Sequence, residues 1–214
     1  MDSRPVTLSH LDTHVPSSGA PGRVDNGFSW TGTCSGAPQQ LMACLRWSVL
    51  RCRVLGPIQV ERSGAPFRVL PRRQRALLAR LILARGRAVG FDVLADSVWG
   101  DEEGPADVRG ALYTLASRLR GALGDGVVTE AAGYALRLPR NAVDAWEFED
   151  GLRMARAADG PAALHCYDRV LACWRGRAYD EFADGFAADE SARLEDLRSA
   201  AARERLTLLG RSAP

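Results

Sequence analysis

The chain has 214 residues, 46% of them hydrophobic and 25% charged, which is typical of a globular protein. No run approaches the roughly 18 apolar residues that span a bilayer, and the N-terminus lacks the pattern of a secretory signal. We therefore expect a cytoplasmic protein without a membrane partner. The five cysteines form no CxxC pair and have no histidines at ligand spacing, so we expect neither a metal nor another cofactor.

The charge is unevenly distributed along the chain. All 28 basic residues are arginine, and the net charge is only +2. Residues 51–140 contain fifteen arginines against nine acidic residues, whereas residues 141–214 contain ten against fourteen. A basic segment followed by an acidic one indicates that one part binds nucleic acid and the other does not. Chance variation between two neutral domains is the alternative.

The first 48 residues are rich in Pro, Gly, Ser and Thr and have no sustained periodicity. Such a segment cannot bury enough apolar surface to offset its chain entropy, so we expect residues 1–48 to be a disordered extension. Alternatively, Met1 is an upstream start, and the natural chain begins near Met42 or Val49.

Short strands and helices are predicted next. The stretch "VLRCRVLGPIQVERSG" alternates apolar and polar residues around Gly56-Pro57 and predicts two strands, with "FRVL" (67–70) as a third. Pro71 precedes a helix over "RRQRALLARLILARG", which Gly86 is expected to stop. The stretch "FDVLADSVWG" predicts a second, shorter helix.

A third helix is predicted over residues 107–124, "DVRGALYTLASRLRGALG". Its apolar residues recur at helical spacing and form one stripe: Val108, Leu112, Leu115, Leu119, Ala122 and Leu123. The opposite face carries Arg109, Gly110, Tyr113, Thr114, Ser117 and Arg120. After Asp107 this face has no carboxylate, whereas a solvated face usually mixes charges of both signs. The face therefore favours a polyanionic partner, with plain surface as the alternative.

The remaining chain predicts a hairpin followed by helices. The stretch "VVTEAAGYALRL" (127–138) alternates around a turn, so residues 49–140 have the order strands, three helices, hairpin. That order predicts an α+β winged helix-turn-helix domain whose third helix enters the major groove. Amphipathic segments at 144–158, 161–174 and 185–210 predict an all-α, tetratricopeptide-like second domain over residues 141–214.

Several motifs in this order strongly resemble the SARP family of antibiotic-regulatory transcriptional activators. They are "RVLGPIQV", "PRRQRALLARLIL", "FDVLADSVWGD", "LYTLASRLRGALG", "GYALRL", "LACWRGRAYDEFAD" and "ARLEDLR". The resemblance implies an OmpR-type winged helix followed by a bacterial transcriptional activation domain. It also implies binding to direct repeats at promoters, often by side-by-side protomers, and recruitment of RNA polymerase to secondary-metabolite genes.

The chain departs from the family pattern in three places. Its activation domain has fewer helices than usual. Family members usually have Asn, Thr and Gln where this chain has Gly110, Ala111 and Tyr113, so we expect a different target sequence or weaker base readout. The hairpin tip at 130–132, Glu-Ala-Ala, replaces the usual Arg and Pro, so we expect weaker DNA contact there.

Individual roles follow from the predicted helix face. We expect Arg109 and Tyr113 to reach base edges, since arginine pairs bidentately with guanine and discriminates by about 1–3 kcal/mol. Candidates for phosphate contact are Thr114, Ser117 and Arg120. Arg118 at the flank either contacts phosphate or pairs with an acid of the second domain. Lesser candidates are Arg72 and Arg73 for the DNA backbone, with generic basic surface as their alternative, and Arg137 for the minor groove.

The hypothesis is a sequence-specific DNA-binding activator of antibiotic biosynthesis genes, located at the nucleoid when bound to DNA. Its expected partners are promoter direct repeats, RNA polymerase and a second protomer. The alternative is a protein-interaction module that regulates another transcription factor without binding DNA. An enzyme is not expected, because the sequence contains no phosphate-binding loop, paired metal ligands or nucleophile elbow.

Overall fold

The computed structural model describes residues 50–62, 70–100 and 102–212. The expected extension over residues 1–48 lies outside them, as do residues 67–69 of the expected third strand. Leu70, the last residue of that stretch, is buried but belongs to no strand. Within the described ranges, no helix combines the length and the apolar content that a membrane span requires.

Two short strands form the first hairpin. β1 (Leu50–Arg53) pairs antiparallel with β2 (Gln59–Arg62), and Cys52 lies opposite Val60. Cys52 and Val60 are both buried, while their neighbours along each strand are more exposed, as expected for strands with one face on the core. The two strands predicted from the alternating pattern are confirmed.

Three helices follow, and they confirm the three that the periodicity predicts. They are α1 (Arg72–Leu83), α2 (Phe91–Trp99) and α3 (Val108–Leu123). Helix α1 ends before the predicted stop at Gly86, because the chain turns through Arg85 at φ 50° and Gly86 at φ 84°. Two successive left-handed residues cannot continue a right-handed helix.

A small sheet closes the first part of the fold. β4 (Val127–Glu130) and β5 (Gly133–Leu136) form the predicted hairpin, and β3 (Val89–Gly90) pairs antiparallel with β5. A Cβ at Gly133 would lie 1.8 Å from the carbonyl oxygen of Val89. Only glycine allows these two backbones to approach so closely, so Gly133 fixes the hairpin against β3 and the start of α2.

The core fixes the orientation of α3. Seven of the twelve residues of α1 are buried, and α3 packs against both α1 and α2. Four residues of the predicted apolar stripe are buried, Leu112, Leu115, Leu119 and Leu123, and so is Ala116, which the prediction did not include. Val108 and Ala122 of the stripe are partly buried. Each buried leucine contributes about 1.5–3 kcal/mol relative to an exposed one. Rotation of α3 about its axis would expose this stripe, so its opposite face is held outward.

The C-terminal part is helical, as the periodicity predicts. Its helices are α4 (Asp144–Ala157), α5 (Gly160–Leu171) and α6 (Ala188–Ser212). Helices α4 and α5 pack closely along each other, and α6 packs on α5. A short 3₁₀ helix, Asp180–Phe182, lies within the long connection between α5 and α6.

The first hairpin is bound to the C-terminal helices through a buried carboxylate. Asp144, at the start of α4, accepts backbone hydrogen bonds from Val54 at 2.7 Å and Leu55 at 3.2 Å. The same two residues also accept hydrogen bonds: the N–H of Arg175 donates to the Leu55 carbonyl at 2.9 Å, and that of Tyr179 to the Val54 carbonyl at 2.7 Å. Side-chain and backbone bonds thus satisfy the buried polar groups of the turn after β1.

An ion network makes a second connection. Arg85, just after α1, donates two hydrogen bonds to Glu149 of α4, at 2.8 and 2.7 Å, and one to Glu190 of α6 at 2.9 Å. Arg193 also contacts both carboxylates. Partial burial by itself would raise the pKa of Glu149, but the hydrogen bonds from Arg85 and Arg193 outweigh this effect and lower it. The part of the chain that contains α1–α3 and the C-terminal helices α4–α6 are therefore joined by polar as well as apolar contacts.

Asp144 generates a prediction about pH. Burial raises its pKa from the usual 3.8 to about 6, even though the N–H groups of Val54 and Leu55 and the charge of Arg175 favour the ionised form. The folded protein therefore holds this proton more tightly than the unfolded chain, and the associated stability is lost as the pH rises from about 4 to about 6. Its full extent is on the order of 3 kcal/mol.

Urea unfolding of the wild type and of Asp144→Asn, compared from pH 4 to pH 7, tests this expectation. The amide does not titrate, so the stability of the wild type relative to the variant should fall across that window. A difference that stays constant or rises would show that Asp144 is not held as described.

Candidate nucleic-acid interface

Helix α3 begins at a well-formed cap. The Asp107 carboxylate accepts a hydrogen bond from the N–H of Gly110 at 2.9 Å, and the Asp107 carbonyl accepts one from Ala111 at 3.0 Å. An aspartate at this position accepts hydrogen bonds from free N–H groups, and its negative charge interacts favourably with the positive end of the helix dipole. This carboxylate caps the helix, and the sixteen residues of α3 itself contain no acid.

The outward face of α3 carries most of the residues predicted from the sequence. Five of them are exposed: Arg109, Tyr113, Thr114, Ser117 and Arg118. Tyr113 is 64% exposed, whereas the other Phe, Trp and Tyr side chains of the described residues are buried or half-buried. The Thr114 hydroxyl donates to the Gly110 carbonyl at 3.0 Å, and its oxygen can still accept a hydrogen bond. Among the residues that the structure describes, no carboxylate pairs with Arg109 or Arg118.

Arg109 lies at one end of a row of aromatic contacts. Its Cζ is 5.1 Å from the centre of the Phe91 ring. Phe91 meets Tyr134 edge to face, with ring centres 5.7 Å apart and planes at 87°. Arg120 covers the Tyr134 ring from the other end, its Cζ 5.7 Å from the ring centre. The row connects the start of α2, both ends of α3 and the second strand of the hairpin.

Arg120 has contacts that differ from the predicted phosphate contact. It is half-buried, its Nε donates to the Val127 carbonyl at 2.9 Å, and its Nη2 donates to the Thr129 hydroxyl at 2.7 Å. Together with the Tyr134 ring, these contacts hold both strands of the hairpin against the last turn of α3. The guanidinium therefore serves the internal geometry of the fold.

The lesser arginine candidates are paired with acids of the chain. Arg73 Nη2 lies 3.2 Å from a carboxylate oxygen of Glu102, and Arg72 Nη1 lies 3.7 Å from the other. Arg137 pairs with Glu130 across the hairpin at 2.9 Å. All of these side chains remain substantially exposed, so each pair is worth at most about 1 kcal/mol and competing phosphates can displace it.

One basic residue beside α3 is not predicted by the sequence pattern. Arg62, at the end of β2, is exposed, and its Nη1 lies 3.5 Å from the carbonyl oxygen of Gly121 in α3. No carboxylate of the described residues pairs with it. The side chain thus adds a cation beside the C-terminal end of the exposed α3 face. Only the packing of β2 on α3, which local periodicity does not encode, brings it there.

The geometry therefore concentrates unneutralised positive charge and hydroxyl groups along one exposed helix face. An α-helix with its side chains is about 10–12 Å across, which matches the roughly 12 Å width of the major groove of B-DNA. Arginine, tyrosine, threonine and serine together supply donors for phosphates, bases or acidic protein groups.

Comparisons with known proteins find similarity to regulatory proteins. No family model matches the chain. The regulatory protein AfsR of Streptomyces griseus is 37% identical over 164 residues, which cover 74% of this chain and 17% of AfsR. AfsR of Streptomyces coelicolor is 37% identical over 155 residues, covering 70% and 16%. The transcriptional regulatory protein EmbR of Mycobacterium tuberculosis is 34% identical over 142 residues, covering 61% and 36%.

The fold leads to the same group of proteins. The solved structure of Mycobacterium tuberculosis EmbR in complex with a low affinity phosphopeptide matches with a TM-score of 0.56 and 27% identity. The match covers 74% of this chain and 43% of the EmbR chain, so this chain spans less than half the length of each of these relatives. The sequence motifs, the relatives and the fold agree, and together they support the expected resemblance to the SARP family of regulatory proteins.

Proposed function

We propose that this protein is a transcriptional regulator that binds duplex DNA through the exposed face of α3. Helices α2 and α3 serve as a helix-turn-helix, and the β4–β5 hairpin serves as the wing. The observation that carries the proposal is that this acid-free face is held outward by the buried leucines on the opposite side of α3. The relatives support it, since all of those compared are named as regulatory proteins.

The exposed residues divide into two roles. Arg109 and Tyr113, in the first turns of α3, are proposed to reach base edges, while Thr114, Ser117 and Arg118 contact phosphates and fix the register. Arg62 joins the phosphate-contacting set because it flanks the same face. Arg120 is not included in that set, since its Nε and Nη2 groups donate hydrogen bonds to the hairpin.

The C-terminal helices α4–α6 are proposed to form the tetratricopeptide-like activation segment, over residues 141–214, that follows a DNA-binding segment over residues 49–140. Its acidic composition suits protein contacts better than DNA contacts. The proposed partners are a second protomer on promoter direct repeats and RNA polymerase, with secondary-metabolite genes as targets. The hydrogen bonds of Asp144 and Arg85 would transmit the position of the DNA-binding segment to this surface.

A protein-interaction module that does not bind DNA is the second candidate. The pairing of Arg72, Arg73 and Arg137 with the chain's own acids favours it, because these pairs reduce the positive charge available to a polyanion. Sequencing of DNA fragments selected by the purified chain distinguishes the two candidates. A regulator enriches one sequence motif, and an interaction module enriches none.

Arg109→Ala should weaken binding to the selected sequence by about 1–3 kcal/mol and relax the preference at one base pair, because a bidentate base contact is lost. A mobility-shift titration measures both effects. Arg169→Ala is the matched control, since it removes an exposed arginine of the same charge from α5, away from the proposed interface. Equal losses in both variants would mean that net charge, and not α3, determines binding.

Arg118→Ala should weaken binding to all sequences alike, because a phosphate contact carries no sequence information. The slope of log affinity against log salt should become shallower by about 0.9. If the salt slope of this variant were unchanged, Arg118 would not contact a phosphate.

Arg120→Ala should instead lower the stability of the free protein by about 1–3 kcal/mol, since it leaves hairpin acceptors without their donor. Urea unfolding measures this loss, and Arg118→Ala, on the same helix, should change it by less than about 0.5 kcal/mol. If Arg120→Ala left stability intact and made the salt slope shallower, Arg120 would be a phosphate contact after all.

A further inference from the structure

We propose that Phe91 is a positioning residue that holds the Arg109 guanidinium ready to read a base, an inference that rests on the proposed function. The two side chains come from different helices, since Phe91 is the first residue of α2 and Arg109 lies in the first turn of α3. Their contact places the ring face against the guanidinium, with Cζ 5.1 Å from the ring centre.

Phe91 is itself firmly held. Its backbone N–H donates to the Ala132 carbonyl at the hairpin tip, at 3.2 Å. Its ring packs edge to face on Tyr134, which is only 2% exposed and is covered by Arg120. The ring is half-buried, so one side packs on the protein while the other receives Arg109. An exposed arginine thus rests on a surface that is fixed by the core.

The kind of contact matters for recognition. A free arginine loses about 2 kcal/mol of side-chain entropy when it is ordered, and a neighbouring group that restricts it beforehand reduces this loss on binding. A carboxylate would restrict Arg109 too, but it would occupy N–H donors and cancel the charge, as Glu102 does for Arg73 and Glu130 does for Arg137. A ring face attracts the guanidinium and leaves its five N–H donors free at the edge.

The partner chemistry follows from that free edge. The N–H fork of arginine matches the O6 and N7 acceptors of guanine, the commonest specific contact in the major groove. We therefore assign to the pair Phe91–Arg109 the reading of one G·C base pair. Phe91 contributes to affinity for that base pair without touching DNA.

A double-mutant cycle tests the assignment on the selected DNA. Phe91→Leu keeps an apolar side chain but removes the ring face, and it should weaken binding to the selected sequence about two- to fivefold. Binding to DNA of unrelated sequence and the salt slope should not change. In the Arg109→Ala background, Phe91→Leu should cause no further loss. Phe91→Tyr, which restores an aromatic face, should retain wild-type binding.

A measurement without DNA distinguishes failure of the Phe91–Arg109 contact from failure of the proposed DNA binding. In the NMR spectrum of the free protein, the Phe91 ring should shift the Arg109 side-chain protons upfield, and the shift should disappear in Phe91→Leu and persist in Phe91→Tyr. Thermal unfolding checks that each variant is folded, and Phe91→Met replaces Phe91→Leu if the latter is not.

Three results would overturn the inference. They are the absence of the ring-current shift, a Phe91→Leu variant with unchanged binding, and an equal loss with and without Arg109. If the shift is present but the wild-type chain selects no DNA sequence, the proposed function itself fails, and the role of Phe91 in reading DNA fails with it.

Discussion

The burial of one side of α3 is the constraint on which the proposed function depends. Leu112 and Leu119 are completely removed from solvent, and α1 and α2 supply the surface that covers them. Rotating α3 by even one residue, about 100°, would expose these leucines and bury arginines, at a cost of several kcal/mol. The exposed face is therefore a consequence of packing, and its composition is free to serve recognition.

Polar contacts then determine which arginines are available. Arg120 braces the hairpin, Arg85 joins the two halves of the chain, and Arg72 and Arg73 share Glu102. Arg109 differs, since an aromatic ring orders it without neutralising it. In a chain whose basic residues are all arginine, the neighbours of each guanidinium decide whether it builds the fold or faces a partner.

Local patterns predicted the helices, the first two strands, the β4–β5 hairpin and the outward face of α3, because hydrophobic periodicity and turn residues act over short distances. Long-range partners could not be predicted in this way. Asp144 bonds to residues about 90 positions earlier, and Glu102 to residues about 30 positions earlier. The contacts of Arg120 could have been predicted from one feature of the sequence. The turn at Gly124–Gly126 is short, so the following strand returns beside the last turn of α3. No such feature predicts the position of Arg62.

Hydrogen–deuterium exchange of the free protein and of its complex with the selected DNA tests the central claim most directly. If α3 lies in a groove of the DNA, the backbone amides of residues 108–121 should exchange more slowly in the complex. The amides of α4–α6 should change little. Protection confined to α4–α6, with residues 108–121 exchanging as in the free protein, would contradict the account.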